Sequence, residues 1–147
     1  MDLIRQGGRG VSLLDTNVIS EVRKVRPHRA VLACLNSTAD SDLYLSTVTL
    51  GEIQAFIESI RKQDARKADA IEQWANLVSA SYNVLAMNAE TFRLWARLMH
   101  RRSDTLLEDA MIATTAKQHK LTVVTRNVAD FAQLDVEILN PFRSKLP

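Results

Sequence analysis

The stretch from Val11 to Ile19 constrains the fold more than any other part of the chain. Val11 to Leu14 is a short, mostly apolar run, Asp15 ends it, and small polar residues then lead into a new apolar segment. This order is typical of a β-strand that delivers a carboxylate to its C-terminal end, where a helix begins. In open α/β sheets, ligands bind at that edge. We therefore expect a sheet whose carboxyl edge carries a functional site.

Short apolar runs alternate with segments of helical periodicity along the rest of the chain. Strands are predicted at 11–14, 43–46, 83–87, 121–125 and 136–139, and helices at 16–22, 28–36, 48–63, 65–81, 89–101 and 105–119. This alternation favours a single α/β domain with a mainly parallel sheet. We expect a leader at 1–10, the domain at 11–142 and a tail at 143–147.

Length and composition bound the class of protein. The chain has 147 residues, 46% of them hydrophobic and 24% charged, which fits one globular domain and excludes a disordered or fibrous chain. No apolar run approaches the roughly 20 residues that span a bilayer, and the single cysteine, Cys34, excludes an internal disulfide framework. We therefore expect a cytoplasmic protein with no membrane contact. The net charge of +2 permits nucleic-acid binding without requiring it.

Two acids follow strand ends directly or by one helical turn. Asp15 could cap the next helix, although Thr16 or Asn17 would serve as well, so capping and function both stay open for it. Glu52 could close a capping box with Thr49, or it could be a ligand, because it borders the buried stripe of its helix. Neither acid alone decides between structure and chemistry.

Asp109 has fewer structural explanations than the other acids. The pattern from Thr105 to Glu108 has the form of a capping box, which leaves Asp109 without that role on the apolar face of an alanine-rich helix. A ligand role therefore explains Asp109 better. Asn127 and Asp130 follow the strand predicted at 121–125, and either could be an ordinary turn residue or part of the same site.

A parallel sheet would gather these acids on one edge, where they repel each other and need a cation between them. Ligands that are all oxygen favour a hard divalent ion such as Mg²⁺ or Mn²⁺. Acid clusters of this kind serve phosphoryl chemistry, in which the ion activates a water and stabilises charge on the phosphate.

The chain resembles the PIN-domain ribonucleases in four motifs that occur in the same order and spacing, and in an Asn-Pro-Phe ending. The motifs lie at 13–19, 46–53, 108–116 and 124–131, and the ending lies at 140–142. Within them the chain is similar to the VapC-type toxins of toxin–antitoxin pairs, in particular the FitB-like group. The resemblance implies about five parallel strands with helices on both faces and a Mg²⁺-dependent endoribonuclease. It also implies a homodimer that is inhibited by a cognate antitoxin and reaches operator DNA through it.

The resemblance also assigns the site. Asp15, Glu52 and Asp109 match the metal-site acids of the family. We expect Asp15 and Asp109 to bind the metal, and Glu52 to hold a metal-bound water or to act as its base. Many relatives have an acid where Asn127 stands, while Asp130 matches the aspartate of an Asp-Phe pair, so either residue could complete the site.

Contacts with RNA are expected around these acids. Thr16, Asn17 and Thr47 could hydrogen-bond ligands or the scissile phosphate. Arg126 could contact the RNA backbone or be a plain exposed arginine at a strand end. The basic runs at 23–26 and 100–102 are candidate RNA tracks, or solvated charge. A second function stays open: a catalytically weak PIN domain that acts mainly as the antitoxin-bound component of an operator repressor.

Overall fold

Five parallel strands form the sheet of the computed structural model, which describes residues 10–143. The strands are β1 (Ser12–Leu14), β2 (Leu43–Ser46), β3 (Asn83–Leu85), β4 (Thr122–Val124) and β5 (Ile138–Leu139). The helices are α1 (Thr16–Val22), α2 (Arg29–Asn36), α3 (Thr47–Arg61), α4 (Ala65–Ser81), α5 (Ala89–Met99), α6 (Leu107–His119) and α7 (Val128–Ala132). The predicted α/β class is confirmed. Residues 1–9 of the expected leader and 144–147 of the expected tail lie outside the described residues.

The strand order β3-β2-β1-β4-β5 places the first strand at the centre of the sheet. From β1 the chain builds outward through β2 to β3, then returns to the other side of β1 to add β4 and β5. Successive strands are therefore added on one side of β1 and then on the other, so the strand order reverses between β1 and β4; we call this the reversal point. These two strands pair in parallel, from Ser12 with Thr122 to Leu14 with Val124. A reversal of this kind opens a crevice at the carboxyl ends of the two strands, where α/β proteins bind ligands.

Successive side chains of β1 and β4 point to opposite faces of the sheet, and each face packs a separate hydrophobic core. Leu14 and Val124 belong to the core covered by α1 to α4. Leu13 and Val123 belong to the core covered by α5 to α7, which also contains the fully buried Phe131. Because both faces are covered, the strands are buried on both sides and their carboxyl edge is left as the place where polar groups can gather.

Helix caps differ from two of the patterns considered in the sequence. A tight 3₁₀ turn at Asp104–Leu106 precedes α6, and the Ser103 hydroxyl, not that of Thr105, accepts a cap hydrogen bond there, from the Thr105 N–H. The Thr105–Glu108 capping box is therefore wrong, because the turn places Thr105 before the helix begins. The Thr49–Glu52 box is wrong as well, since Ser46 caps α3 through the Val48 N–H at 3.0 Å.

Most other differences concern the ends of elements. Helix α5 ends at Met99 instead of 101, because the chain turns at Arg101, whose φ is 67°. The strands predicted at 83–87 and 136–139 shorten to three and two paired residues. Within the described residues, none of the helices has both the length and the apolar character needed to cross a membrane.

Candidate metal and phosphodiester site

Asp15 lies at the reversal point of the sheet. Its backbone N–H donates to the Val124 carbonyl at 2.9 Å, which ties the end of β1 to the end of β4. The residue is buried, with 4% of its surface exposed. One oxygen, Oδ1, accepts from the Thr16 N–H at 2.8 Å and caps α1, while Oδ2 accepts from the Thr125 hydroxyl at 2.7 Å and from Asn17 Nδ2 at 3.2 Å. Asp15 itself caps the helix, so the capping and functional interpretations hold together.

Glu52 reaches the same edge from the second turn of α3. Its Oε1 accepts a hydrogen bond from the Thr16 hydroxyl, whose oxygen also lies 3.2 Å from that of the buried Thr49. Thr16, which follows Asp15 in the chain, therefore holds the carboxylate of Glu52 close to that of Asp15. Half-burial of Glu52 and the charges of Asp15 and Glu108 raise its pKa, with burial as the larger cause.

Asp109 projects from the first turn of α6. Its Oδ2 accepts from Asn127 Nδ2 at 3.3 Å, and the Asn127 backbone N–H donates to the Thr125 hydroxyl at 2.9 Å. Thr125, the fully buried residue after β4, is thus bonded to both sides of the site, because the same hydroxyl donates to Asp15.

The acids interact electrostatically as one cluster. Burial raises the pKa of Asp15. Burial, followed by the charges of Asp15, Asp130, Glu52 and Glu108, raises the pKa of Asp109 to about 7. Like charges shift a pKa in this way only when they lie close together. The edge therefore carries a concentrated negative charge that a bound cation would neutralise.

The structure brings most of the predicted residues together at this edge. Hydrogen bonds connect the following, with Thr125 as the link between Asp15 and Asn127: Asp15, Thr16, Asn17, Glu52, Asp109 and Asn127. Asp130 acts on the cluster through its charge, and the Arg126 N–H donates to Asn17 Oδ1 at 3.2 Å. Thr47 is exposed at the start of α3, and within residues 10–143 its side chain makes no hydrogen bond.

Two members of the site were missed in the sequence. The Thr105–Glu108 pattern predicts a capping role for Glu108, yet Glu108 is one of the charges that raise the pKa of Asp109 and Glu52. For Thr125 the sequence predicts only the end of a strand. The available signal for Thr125 was a polar residue directly after a β-branched run, two positions before Asn127.

The residue types fit a hard divalent ion, because every charged donor at the edge is a carboxylate. Among the described residues, no group of three or more His, Cys, Asp or Glu side chains is arranged to hold a metal ion. Mg²⁺ does not require such a cage, since it keeps several waters and commonly takes one or two protein carboxylates together with substrate phosphate. Asp15 and Asp109, whose charges interact at this edge, suit that mode.

The strand order and the acidic edge define the class of protein. The PIN domain model matches residues 12–137, and the chain belongs to this family. It is 32% identical to the toxin FitB of Neisseria gonorrhoeae over 88% of this chain and 97% of that protein. It is also 32% identical to the VapC ribonuclease Y4jK of Sinorhizobium fredii, over 88% and 96% of the two chains.

Solved structures place the chain in the same group. It superposes on FitAB bound to the IR36 DNA fragment with a TM-score of 0.77 and 29% identity, over 92% of this chain and 98% of that one. Within the PIN family the chain therefore groups with the FitB and VapC toxins, as its motifs predicted. The roles expected for its individual site residues stay predictions.

Proposed function

We propose that the chain is the toxin of a toxin–antitoxin pair and an endoribonuclease that hydrolyses RNA phosphodiesters with Mg²⁺, or Mn²⁺, at the edge site. The observation that carries this proposal is the acid cluster at the reversal point, with the pKa of Asp109 raised to about 7. A protein gains nothing in stability from such repulsion, and perturbed acids of this kind concentrate at functional sites. The VapC and FitB relatives support the same conclusion.

Asp15 and Asp109 would hold the ion, which when bound stabilises charge on the phosphate and makes the attacking water more acidic. The Asp15 carboxylate is kept in one orientation by the Thr125 hydroxyl and the Asn17 amide. Glu52, fixed by Thr16, has its second oxygen available to accept a proton from the attacking water. Its raised pKa brings it closer to the range in which a carboxylate works well as a general base.

Asn127 and Asp130 would complete the site beside Asp15, Glu52 and Asp109 in different ways. Asn127 donates to Asp109 and so restricts the rotation of that carboxylate, while Asp130 adds negative charge. Thr16, Asn17 and Thr47 are proposed to contact the ligands or the phosphate.

The proposed partners follow from the relatives. A cognate antitoxin would inhibit the enzyme and connect it to operator DNA, as the DNA-bound FitAB structure suggests. We further propose a homodimer that works in the cytoplasm. The exposed Phe92, in edge-to-face contact with Trp95 at 6.2 Å, is one apolar position that a second copy would cover.

Cleavage of RNA by the purified chain, free of any partner, tests the proposal. Wild type is compared with Asp15→Asn and Asp109→Asn in Mg²⁺, and with EDTA added. Asp104→Asn is the matched control, because Asp104 is an exposed aspartate in the turn before α6 and does not contribute to the shift at Asp109. We expect loss of cleavage by at least two orders of magnitude in the two site variants only. Equal cleavage by all four proteins would reject the site.

The second candidate function is an operator-repressor component with weak catalysis. The observation in its favour is that Asn127 contributes no charge where many PIN domains have an acid, so fewer carboxylates hold the ion. This candidate predicts that the chain binds its partner and operator DNA but cleaves no RNA at any Mg²⁺ or Mn²⁺ concentration. Under the ribonuclease proposal, Asn127→Asp lowers the Mg²⁺ concentration needed for half-maximal cleavage.

A further inference from the structure

Arg126 is held at the rim of the site by stacking. Its guanidinium lies 3.7 Å from the centroid of the Phe142 ring, which is the distance of a stacked contact. The ring of His28 meets the same phenylalanine edge-on, at 5.3 Å and 70°. The end of β4, the start of α2 and the segment after β5 thus meet in a small stack of one cation and two rings.

Phe142 has a fixed position under the arginine. Its N–H donates to Asn140 Oδ1 at 3.0 Å, Pro141 beside it is buried, and its own ring packs against the core on the α1–α4 face. A ring fixed in this way limits the plane that the Arg126 guanidinium can adopt.

The guanidinium donors of Arg126 have no hydrogen-bond partner within residues 10–143. Within the same residues the guanidinium makes no salt bridge, although Arg126 lies close enough to Glu21 for its charge to help lower that carboxyl's pKa. Glu21 is instead occupied by Lys24 and by the His28 N–H, each at 2.9 Å. An exposed guanidinium with free donors and one face covered by a ring has its other face available to a ligand.

Hydrogen bonds of Arg126 and of its two chain neighbours connect it to the acids. Its N–H donates to Asn17, which donates to Asp15, and its two chain neighbours, Thr125 and Asn127, bond to Asp15 and Asp109. A ligand on the free face of Arg126 would therefore lie beside whatever the acids hold.

We propose that Arg126, backed by Phe142, is a stacking platform for an unpaired RNA base next to the cleaved phosphodiester. The inference rests on the ribonuclease proposal and narrows its substrate to RNA that is single-stranded at the flanking nucleotide. Bases of single strands stack on guanidinium planes and aromatic rings, whereas the bases of an A-form duplex cannot be reached in this way. Phosphate binding by a mobile lysine would need charge alone, but a stack needs the planar guanidinium that the ring orients.

The test combines protein variants with RNA that lacks one base. An RNA oligonucleotide carrying the cleavage site is made with an abasic nucleotide at each flanking position in turn, and its affinity is measured by fluorescence anisotropy in EDTA. We expect one flanking abasic position to weaken binding to the wild type by roughly 5- to 150-fold, the range for one stacked base. In Arg126→Lys and Phe142→Leu that penalty should disappear, while Phe142→Tyr, which keeps the ring, should retain it.

Matched controls separate stacking from general effects. Arg66→Lys on α4 and Phe56→Leu on α3 make the same chemical changes at exposed positions of other elements, and both should keep the wild-type penalty. A penalty of the same size in Arg126→Lys and wild type would overturn the inference and leave a charge contact only. Binding that is insensitive to every flanking abasic site would overturn it as well.

The design distinguishes this inference from the function on which it rests. If wild type cleaves RNA but shows no flanking abasic penalty, the stacking platform is rejected and the ribonuclease stands. If wild type cleaves no RNA, the abasic nucleotide is moved along a mixed-sequence single-stranded oligonucleotide instead; an Arg126-dependent penalty there keeps the base-stacking platform and rejects only the catalytic proposal.

Discussion

Replacing Asp109 with asparagine should stabilise the metal-free protein, and by an amount that grows with pH. In the folded chain the pKa of Asp109 is raised to about 7 by burial and by the neighbouring acids, against 3.8 for an ordinary aspartate. As pH rises above about 4, the unfolded chain releases this proton while the folded chain retains it. The wild type therefore loses stability between about pH 4 and pH 7, and asparagine, which cannot ionise, removes that loss.

The size of the effect follows from the two pKa values. Raising the pKa of one carboxyl from 3.8 to about 7 on folding lowers the free energy of unfolding of the wild type by at most about 4 kcal/mol at pH 8. Asp109 is only partly buried, so water and salt screen the repulsion and about 1–2 kcal/mol is expected. At pH 4.5 the side chain is neutral in the folded protein and about four-fifths ionised in the unfolded chain, so asparagine should give only about a quarter of the stabilisation expected at pH 8.

Urea denaturation in EDTA at pH 4.5 and pH 8 measures the difference directly. Asp104→Asn, at an exposed position, is the control and should shift the free energy of unfolding equally at both pH values. Adding Mg²⁺ at pH 8 should stabilise the wild type more than Asp109→Asn, because binding to the folded state alone adds stability. The reasoning is refuted if Asp109→Asn destabilises the metal-free protein at pH 8, or changes its stability equally at both pH values.

Three further substitutions test other parts of the structure by urea denaturation. Thr125→Val should cost about 1–3 kcal/mol at pH 7, because the buried Asp15 carboxylate loses a donor, and Thr125→Ser should cost much less; equal losses would contradict the hydrogen bond. The Glu21 pKa is lowered, first by its hydrogen bond to Lys24, so its stabilising effect exists above about pH 4.5 and is lost as pH falls below it. The difference between wild type and Glu21→Gln should therefore shrink from pH 6 to pH 3, and a constant difference would reject the ion pair. Phe131→Ala should cost about 3–5 kcal/mol from a fully buried site, and Phe56→Ala, 47% exposed, under about 1 kcal/mol; similar costs would contradict the assigned core.

Local patterns in the sequence predicted most of the elements and three of the central acids. Strands and helices depend on side-chain periodicity within a few residues, which is readable directly, and α1, α4 and β2 begin and end where expected. Asp15, Glu52 and Asp109 stood out because each follows a strand end or opens a helix. In a parallel sheet such positions share one edge.

Capping was harder to read, because several short polar residues compete for the same free N–H groups and only the backbone path selects one of them. Thr105 and Thr49 matched the cap pattern, yet Ser103 and Ser46 make the bonds. Because the predicted capping box accounted for Glu108, the sequence did not indicate that its charge acts on Asp109. Asp15 showed the opposite case, since it caps α1 and still takes part in the acid cluster.

By itself, then, the sequence determined the α/β class, the alternation of elements and the acids at strand ends, since each depends on neighbours along the chain. Only the tertiary structure decided which distant groups meet. The Thr125 hydroxyl bonds to Asp15, which is 110 positions away in the sequence, and the Arg126 guanidinium stacks on Phe142, which follows β5. The strand order β3-β2-β1-β4-β5 brings these residues together. That order is set by packing two cores against one sheet, and no local pattern encodes it.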